Sequence, residues 1–176
     1  MTIQEFLELC VGNWFSQRSS YHFEKQQAES HKSELTIEWL DSDHPQVIAW
    51  CQHYQIDSTS AIGGKKISWN NSLDWGQPKQ IGSTIIVVIP DPNMPQMGQI
   101  LRGTNNQNPP IVGRYSLGSD HALTLQLEEN NHCLEERLWF ASDNLRLRTS
   151  LIKSPHGFSQ TAFYSEIRKL PPKEVA

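Results

Sequence analysis

The sequence predicts an all-β domain of short antiparallel strands behind one short N-terminal helix, and three observations carry that prediction. From residue 14 onward, alternating or β-branched runs are separated by turn clusters at intervals of about ten residues, which is the pattern of consecutive antiparallel strands. Ahead of them, Thr2-Ile3-Gln4-Glu5 forms a T-x-x-E capping box, the signature of a helix start. So many short strands in one domain must pack as two sheets or close into a barrel, and closure is the arrangement that removes unpaired edges.

The helix comes first. Ile3, Phe6, Leu7, Cys10 and Val11 recur at helical spacing until Gly12, giving one apolar face. Strands are then expected near 13–24, 33–41, 46–55, 61–70, 82–90, 97–103, 111–117, 122–129, 134–141, 145–153 and 158–168. The turns between them are rich in residues that tolerate unusual backbone angles: Asp41-Ser42-Asp43, Gly63-Gly64, Asn70-Asn71, Gly118-Ser119-Asp120, Asn130-Asn131 and Ser142-Asp143-Asn144. Leu123, Leu125 and Leu127 alternate with Thr124, Gln126 and Glu128, so that strand has one buried and one wet face. Nothing repeats at a fixed period and no linker divides the 176 residues, so a single domain is expected over 1–176.

Composition excludes several classes of function. With 15 Lys+Arg against 19 Asp+Glu and a formal charge of −4, the chain has no bias toward nucleic acid or a polybasic membrane surface. It has no apolar run of membrane-spanning length, and its opening residues lack a basic n-region and a cleavage site. Cys10, Cys51 and Cys133 are odd in number and far apart, which suits reduced thiols in a cytoplasm or stroma. Asp41, Asp43 and His44, or His132 with Cys133, lack the number and spacing of ligands that a zinc site needs, so no metal is expected.

The most informative stretch is the hairpin over 134–153. If Asp143-Asn144 is a two-residue loop, Trp139 lies opposite Arg148 and Arg137 opposite Ser150. Arg137, Trp139, Arg146, Arg148 and Ser150 then share one face, and Glu136, Leu138, Phe140, Leu145 and Leu147 the other. A three-residue loop instead brings Glu136 opposite Ser150. Two readings stay open. In one, the Arg face is solvated and the Leu face is core, because Arg is seldom buried unpaired. In the other, the Arg face lines a cavity whose occupant carries carboxylates, the group that a planar guanidinium fork binds best. The Leu face, with Leu145, Leu147 and Phe140, is then covered by the helix or by a partner subunit.

Three blocks carry a resemblance to a known family. They are Gly12-Asn13-Trp14 with Ser16-Gln17-Arg18 and His22; Glu135-Glu136-Arg137-Leu138-Trp139-Phe140-Ala141 running into Asn144-Leu145-Arg146-Leu147-Arg148-Thr149-Ser150; and Ser165-Glu166-Ile167-Arg168. Together they closely resemble the S-type phycobiliprotein lyases, the CpcS/CpeS family of bilin chromophore lyases, from the first helix to about residue 170. The resemblance implies a closed antiparallel barrel of about ten strands, lipocalin-like or fatty-acid-binding-protein-like, with a short N-terminal helix. It also implies an enzyme: a lyase that holds a linear tetrapyrrole such as phycocyanobilin or phycoerythrobilin without a covalent bond and attaches it by a thioether to a cysteine of a phycobiliprotein subunit. Gly12-x-Trp14 with Arg168 near the last strand is also the structural signature of lipocalin barrels, where the Arg caps the Trp at the closed end.

A bilin offers two propionates, a conjugated plane and protonatable pyrrole nitrogens, and each asks for a residue type. Arg146 and Arg148 are expected to pair with propionates, with Ser150 as a donor on the same face and Arg18 reaching a propionate or the cavity rim. Trp69 and Trp75 flank a turn where an indole can stack on the chromophore or serve as hairpin core. Glu136 is the candidate to hydrogen-bond the pyrrole nitrogens and stabilise the protonated bilin, which makes the ethylidene carbon more electrophilic; its alternative is pairing with an arginine. His22 is the candidate to move protons. The acceptor subunit supplies the thiol, so no nucleophile and no cofactor are required from this chain, and the bilin is the bound substrate.

The expected partners are the bilin, an apo phycobiliprotein subunit and a second copy or a paralogue in a homodimer or heterodimer, in a cyanobacterial cytoplasm or a plastid stroma. The proline-containing segments 90–95 and 105–110 are expected at loops where a subunit docks or the mouth is gated. Two other functions use the same arginines: a carrier of fatty acids or another amphipathic carboxylate, and a non-catalytic partner of an active paralogue.

Overall fold

The computed structural model describes residues 1–71, 76, 78–104 and 109–170. Ten antiparallel strands close into one barrel: β1 (Gly12–His22), β2 (Gln27–Leu40), β3 (Gly63–Asn70), β4 (Ile81–Pro90), β5 (Met97–Gly103), β6 (Ile111–Leu117), β7 (Leu123–Glu129), β8 (His132–Ser142), β9 (Leu145–Ser154) and β10 (Gly157–Arg168). Each strand pairs with its sequence neighbours, and β1 also pairs with β10, so no edge is left open. Helix α1 (Ile3–Cys10) begins with the capping box, in which the Thr2 hydroxyl accepts from the Glu5 N–H and the Glu5 carboxylate accepts from the Thr2 N–H. Its buried face of Ile3, Phe6, Leu7 and Cys10 joins the barrel core beside Trp14, Leu117, Leu123 and Leu138.

That helix closes one end. The Trp14 indole N–H donates to the Cys10 carbonyl at 2.9 Å, and Arg168 donates to the carbonyls of Val11 and Leu9 at 2.6 and 2.5 Å while its guanidinium lies 4.2 Å from the Trp14 ring. The last carbonyls of α1 thus receive a cation where the helix dipole favours one. Gly12 is required at this joint. Its φ of 126° is a conformation L side chains rarely adopt, and a Cβ there would lie 3.0 Å from Arg168 Nη1.

Three expectations change. Residues 46–55 form no strand; helix α2 (Pro45–His53) occupies them, with proline in its first turn and the His44 imidazole accepting from the Gln46 N–H. Its Val47, Trp50 and Cys51 are spaced for one helical face, a signal outweighed in the sequence by neighbouring β-formers. They pack outside β4 and β5 on Ile85, Val87, Ile89 and Leu101. This accounts for the unbroken apolar run of β4, whose inner face meets the barrel core and whose outer face meets α2. Second, β2 begins at Gln27, well before the expected 33. Its polar first half has no hydrophobic alternation and is held by the ladder to β1, with Glu29 opposite Ser20.

Third, the 134–153 hairpin combines both registers. Ser142 pairs with Leu145 across a two-residue loop, and an irregularity at Ala141 then shifts the ladder. Beyond it Phe140 faces Arg146, Leu138 faces Arg148 and Glu136 faces Ser150. Directly opposed residues share a face. Glu136, Leu138, Phe140, Arg146, Arg148 and Ser150 therefore all turn inward, and Arg137, Trp139, Leu147 and Thr149 outward. Phe140 packs against Phe6 and Trp14 at ring distances of 5.3 and 6.2 Å, while Leu145 and Leu147 lie half-buried on the outside.

Candidate functional site

Strand direction places the β1–β2, β3–β4, β5–β6, β7–β8 and β9–β10 connections at the end opposite α1. Between the closed end and this mouth lies a cavity of about 210 Å³. Its wall includes Ser16 and Arg18 from β1, His31 from β2, Lys65 and Trp69 from β3, Arg102 from β5, Glu136 from β8, Arg146 and Arg148 from β9, and Tyr164 and Glu166 from β10.

Five of these side chains form one ion-paired chain. Arg102 Nη1 crosses the barrel to Glu136 Oε2 at 2.7 Å, and Glu136 Oε1 accepts from Arg148 Nη1 at 2.8 Å. Arg148 Nη2 continues to Glu166 Oε1 at 3.3 Å, and Glu166 Oε2 accepts from Arg146 Nε at 2.6 Å. Ser16 donates to Glu166 at 3.4 Å. The guanidiniums are also backed by rings, Arg148 lying 3.6 Å over Tyr164 and Arg146 4.9 Å from Trp14. The register builds this cluster: Glu166 sits between Ser16 and Arg146 on neighbouring strands, and Tyr164 between Arg18 and Arg148.

The cluster governs its own ionisation. Burial pushes the Glu136 and Glu166 carboxyls up, but the adjacent guanidiniums outweigh it and hold both below the usual glutamate range. The same carboxylates keep Arg148 firmly protonated despite its burial. Because both acids have lower pKa values folded than unfolded, their contribution to stability is fully present above the unfolded value near 4.5 and is lost as pH falls through the depressed folded values. Thermal unfolding followed against pH is accordingly expected to show a flat midpoint from neutrality down to that range and a fall below it. Glu166→Gln is expected to flatten the fall.

The expected site residues divide. Arg18, Trp69, Glu136, Arg146 and Arg148 line one cavity. Trp69 lies directly over Gly82 on β4, where any Cβ would collide with the indole, so the missing side chain seats the ring. Ser150 faces inward opposite Glu136 but is not among the described wall residues. His22 also stands apart, nearer the mouth, with Nε2 3.5 Å from Glu29. Trp75 lies outside the described residues, as does 105–108 of the second proline-containing segment. The first, 90–95, joins β4 to β5 at the end that α1 closes, so it is no gate over the mouth.

Sequence reasoning gave no role to Arg102, Lys65, Tyr164 or Glu166. For Lys65 a signal existed, since it shares a period-two face with Ile67 and Trp69. For Arg102 none did, because its partner lies 34 residues away across the barrel. Among the described residues no group of three or more metal-ligating side chains is clustered, and no helix is long and apolar enough to cross a membrane.

The likenesses to known proteins agree with this architecture. Residues 2–169 match the family model described as CpeS-like protein. The chain is 48% identical over 169 residues to a protein of Thermosynechococcus vestitus named chromophore lyase CpcS/CpeS, covering 96% of this chain and 93% of the relative. It is 34% identical to a protein of Picosynechococcus named phycocyanobilin lyase subunit CpcS, over 94% of this chain and 85% of that one. A solved S-type phycobiliprotein lyase of Guillardia theta superposes with a TM-score of 0.84 at 29% identity, over 97% of this chain and 94% of its own.

Proposed function

The chain belongs to the CpeS-like family, and from that membership and the cavity we infer that it is a bilin lyase. It binds a linear tetrapyrrole and attaches it to a cysteine of a phycobiliprotein subunit. In the reaction the acceptor's thiol adds across the exocyclic double bond of ring A: sulfur bonds to the exocyclic carbon and the thiol proton ends on the ring carbon. Nothing leaves, and no cofactor is consumed. The lyase contributes orientation and charge, since a bound and restricted reactant needs no covalent partner from the chain.

The observation that carries this reading is the excess of cations inside the barrel. Arg18, Lys65, Arg102, Arg146 and Arg148 outnumber the two carboxylates, Glu136 and Glu166, and Arg18 and Lys65 make no ion pair among the described residues. A ligand with two carboxylates suits that imbalance. Arg146 Nη1 and Arg148 Nε, buried and without a partner, remain available to a propionate after the internal pairs are made, and so does Arg18 Nε. Trp69 offers the flat apolar surface for the conjugated plane. Glu136 has both oxygens engaged by guanidiniums, so its service to the pyrrole nitrogens requires one of those pairs to open.

The role of moving protons falls to His22, near the mouth and 3.5 Å from Glu29. A second copy or a paralogue would pack on the outer face where Phe163 and Ile167 are exposed beside Leu145 and Leu147. The cytoplasm, or a plastid stroma, fits a chain whose substrates reside there.

The test is direct. The purified protein is mixed with phycocyanobilin, the visible spectrum recorded, apo phycocyanin β subunit added, and a denaturing gel viewed by zinc-enhanced bilin fluorescence. A shifted spectrum followed by fluorescence on the acceptor band is expected. A bound bilin that never reaches an acceptor, with or without a paralogue, would reduce the protein to a carrier.

A further inference from the structure

Lys65, like Arg18, is a cation of the cavity wall that the ion-paired chain does not absorb. It stands on the inner face of β3, opposite Trp39 and Ile86, and is 1% exposed. Every arginine of the chain beside it holds a glutamate. Lys65 makes no hydrogen bond or ion pair among the described residues, and it borders the cavity directly. An amine buried without an acceptor is costly, because nothing repays the lost hydration. Retaining it where a methionine would fit makes sense if the acceptor arrives with the ligand.

We propose that Lys65 is a positioning residue for the chromophore, its ammonium taking one of the ligand's two carboxylates deep in the cavity. This rests on the bilin-lyase reading above and adds to it an anchor on the β3 wall, away from the arginine pair of β9. Two carboxylate anchors on separate walls fix the ligand's rotation as well as its depth, which one cluster cannot do. Burial, with Arg146 nearby, drives the Lys65 amine below the usual lysine range, partly opposed by Cys10 of α1, Glu136 and Glu166. A carboxylate brought beside it reverses that shift.

The experiment compares wild type with Lys65→Met by titrating phycocyanobilin and its dimethyl ester and following the visible spectrum, alongside thermal unfolding. Phycocyanobilin is expected to bind the variant about tenfold more weakly or worse, the size of a lost charge-assisted hydrogen bond. The unfolding midpoint is expected to hold or rise, since a buried unpaired amine has been removed. Esterification is expected to weaken binding to wild type, and that penalty to shrink in the variant because one carboxylate has already lost its partner.

Equal affinity of the two proteins for phycocyanobilin, or an ester penalty unchanged in the variant, overturns the assignment while leaving the bilin-lyase reading intact. Failure of wild type to bind phycocyanobilin overturns both. Should Lys65→Met not fold, Lys65→Gln carries the same comparison, and loss of folding in both variants makes the lysine structural and ends the proposal.

Discussion

Glu166→Gln is expected to destabilise the barrel by about 3–5 kcal/mol, the cost of removing one partner from a buried ion pair. Glu166 is 0% exposed and Arg146 3%, and the carboxylate serves Arg146, Arg148 and Ser16 together. Without it, two guanidiniums stay buried beside Lys65 with Glu136 as the carboxylate left in the cavity wall. A domain of this size is usually stable by about 5–15 kcal/mol, so the loss should appear as a large drop in the midpoint of urea unfolding. The double variant Arg146→Met, Glu166→Met is expected to lose less than Glu166→Met alone, because replacing both members of a buried pair removes the uncompensated charge. A double-variant loss equal to the sum of the losses of Arg146→Met and Glu166→Met would mean that the pair is not coupled. Arg137→Ala, which breaks the exposed pair with Asp120 on the outer surface, serves as the control and is expected to change nothing measurable.

Arg18→Ala should produce the opposite profile: a stable barrel with poor ligand binding. Its guanidinium borders the cavity, yet it belongs to no internal ion pair, and its Nε is buried without a partner. Loss of a charge-assisted contact to a propionate is worth about 1.5–3 kcal/mol, or roughly 10- to 100-fold in affinity for phycocyanobilin. Titration monitored by the visible spectrum measures this, and the unfolding midpoint checks that the fold survives. Unchanged affinity would remove Arg18 from the site. The contrast between Glu166 and Arg18 separates the two tasks of the cavity charges, of which one set holds the wall together and the other awaits the ligand.

Much of the fold could be read along the chain because it depends on neighbours. The capping box at Thr2 and Glu5 acts within one helical turn, and the alternation of Leu123, Leu125 and Leu127 marks one face whichever strand lies beside it. The failures share a cause. Helix α2 was hidden because Val47, Trp50 and Cys51 gain their burial from β4 and β5, segments that only the folded chain brings near. The start of β2 was hidden because hydrogen bonds to β1, and no apolar pattern, hold its polar half.

The site shows the same division more sharply. Glu136, Arg146, Arg148, Arg18 and Trp69 stood out by residue type and family pattern, and they do line one cavity. Their partners did not stand out, because Arg102 meets Glu136 only across a closed barrel.

From the sequence alone came the all-β class, the short N-terminal helix, the family and the residues with suitable chemistry, all properties of local pattern and identity. Only the tertiary structure decided that Glu136 joins the arginines on the inner face, that Glu166 and Arg102 complete the ion pairs, and that Lys65 is left without one. The first turns on a one-residue irregularity at Ala141, which reverses the face of every residue before it in β8. The others turn on side chains meeting through the interior of the barrel, where proximity is set by closure and not by distance along the chain.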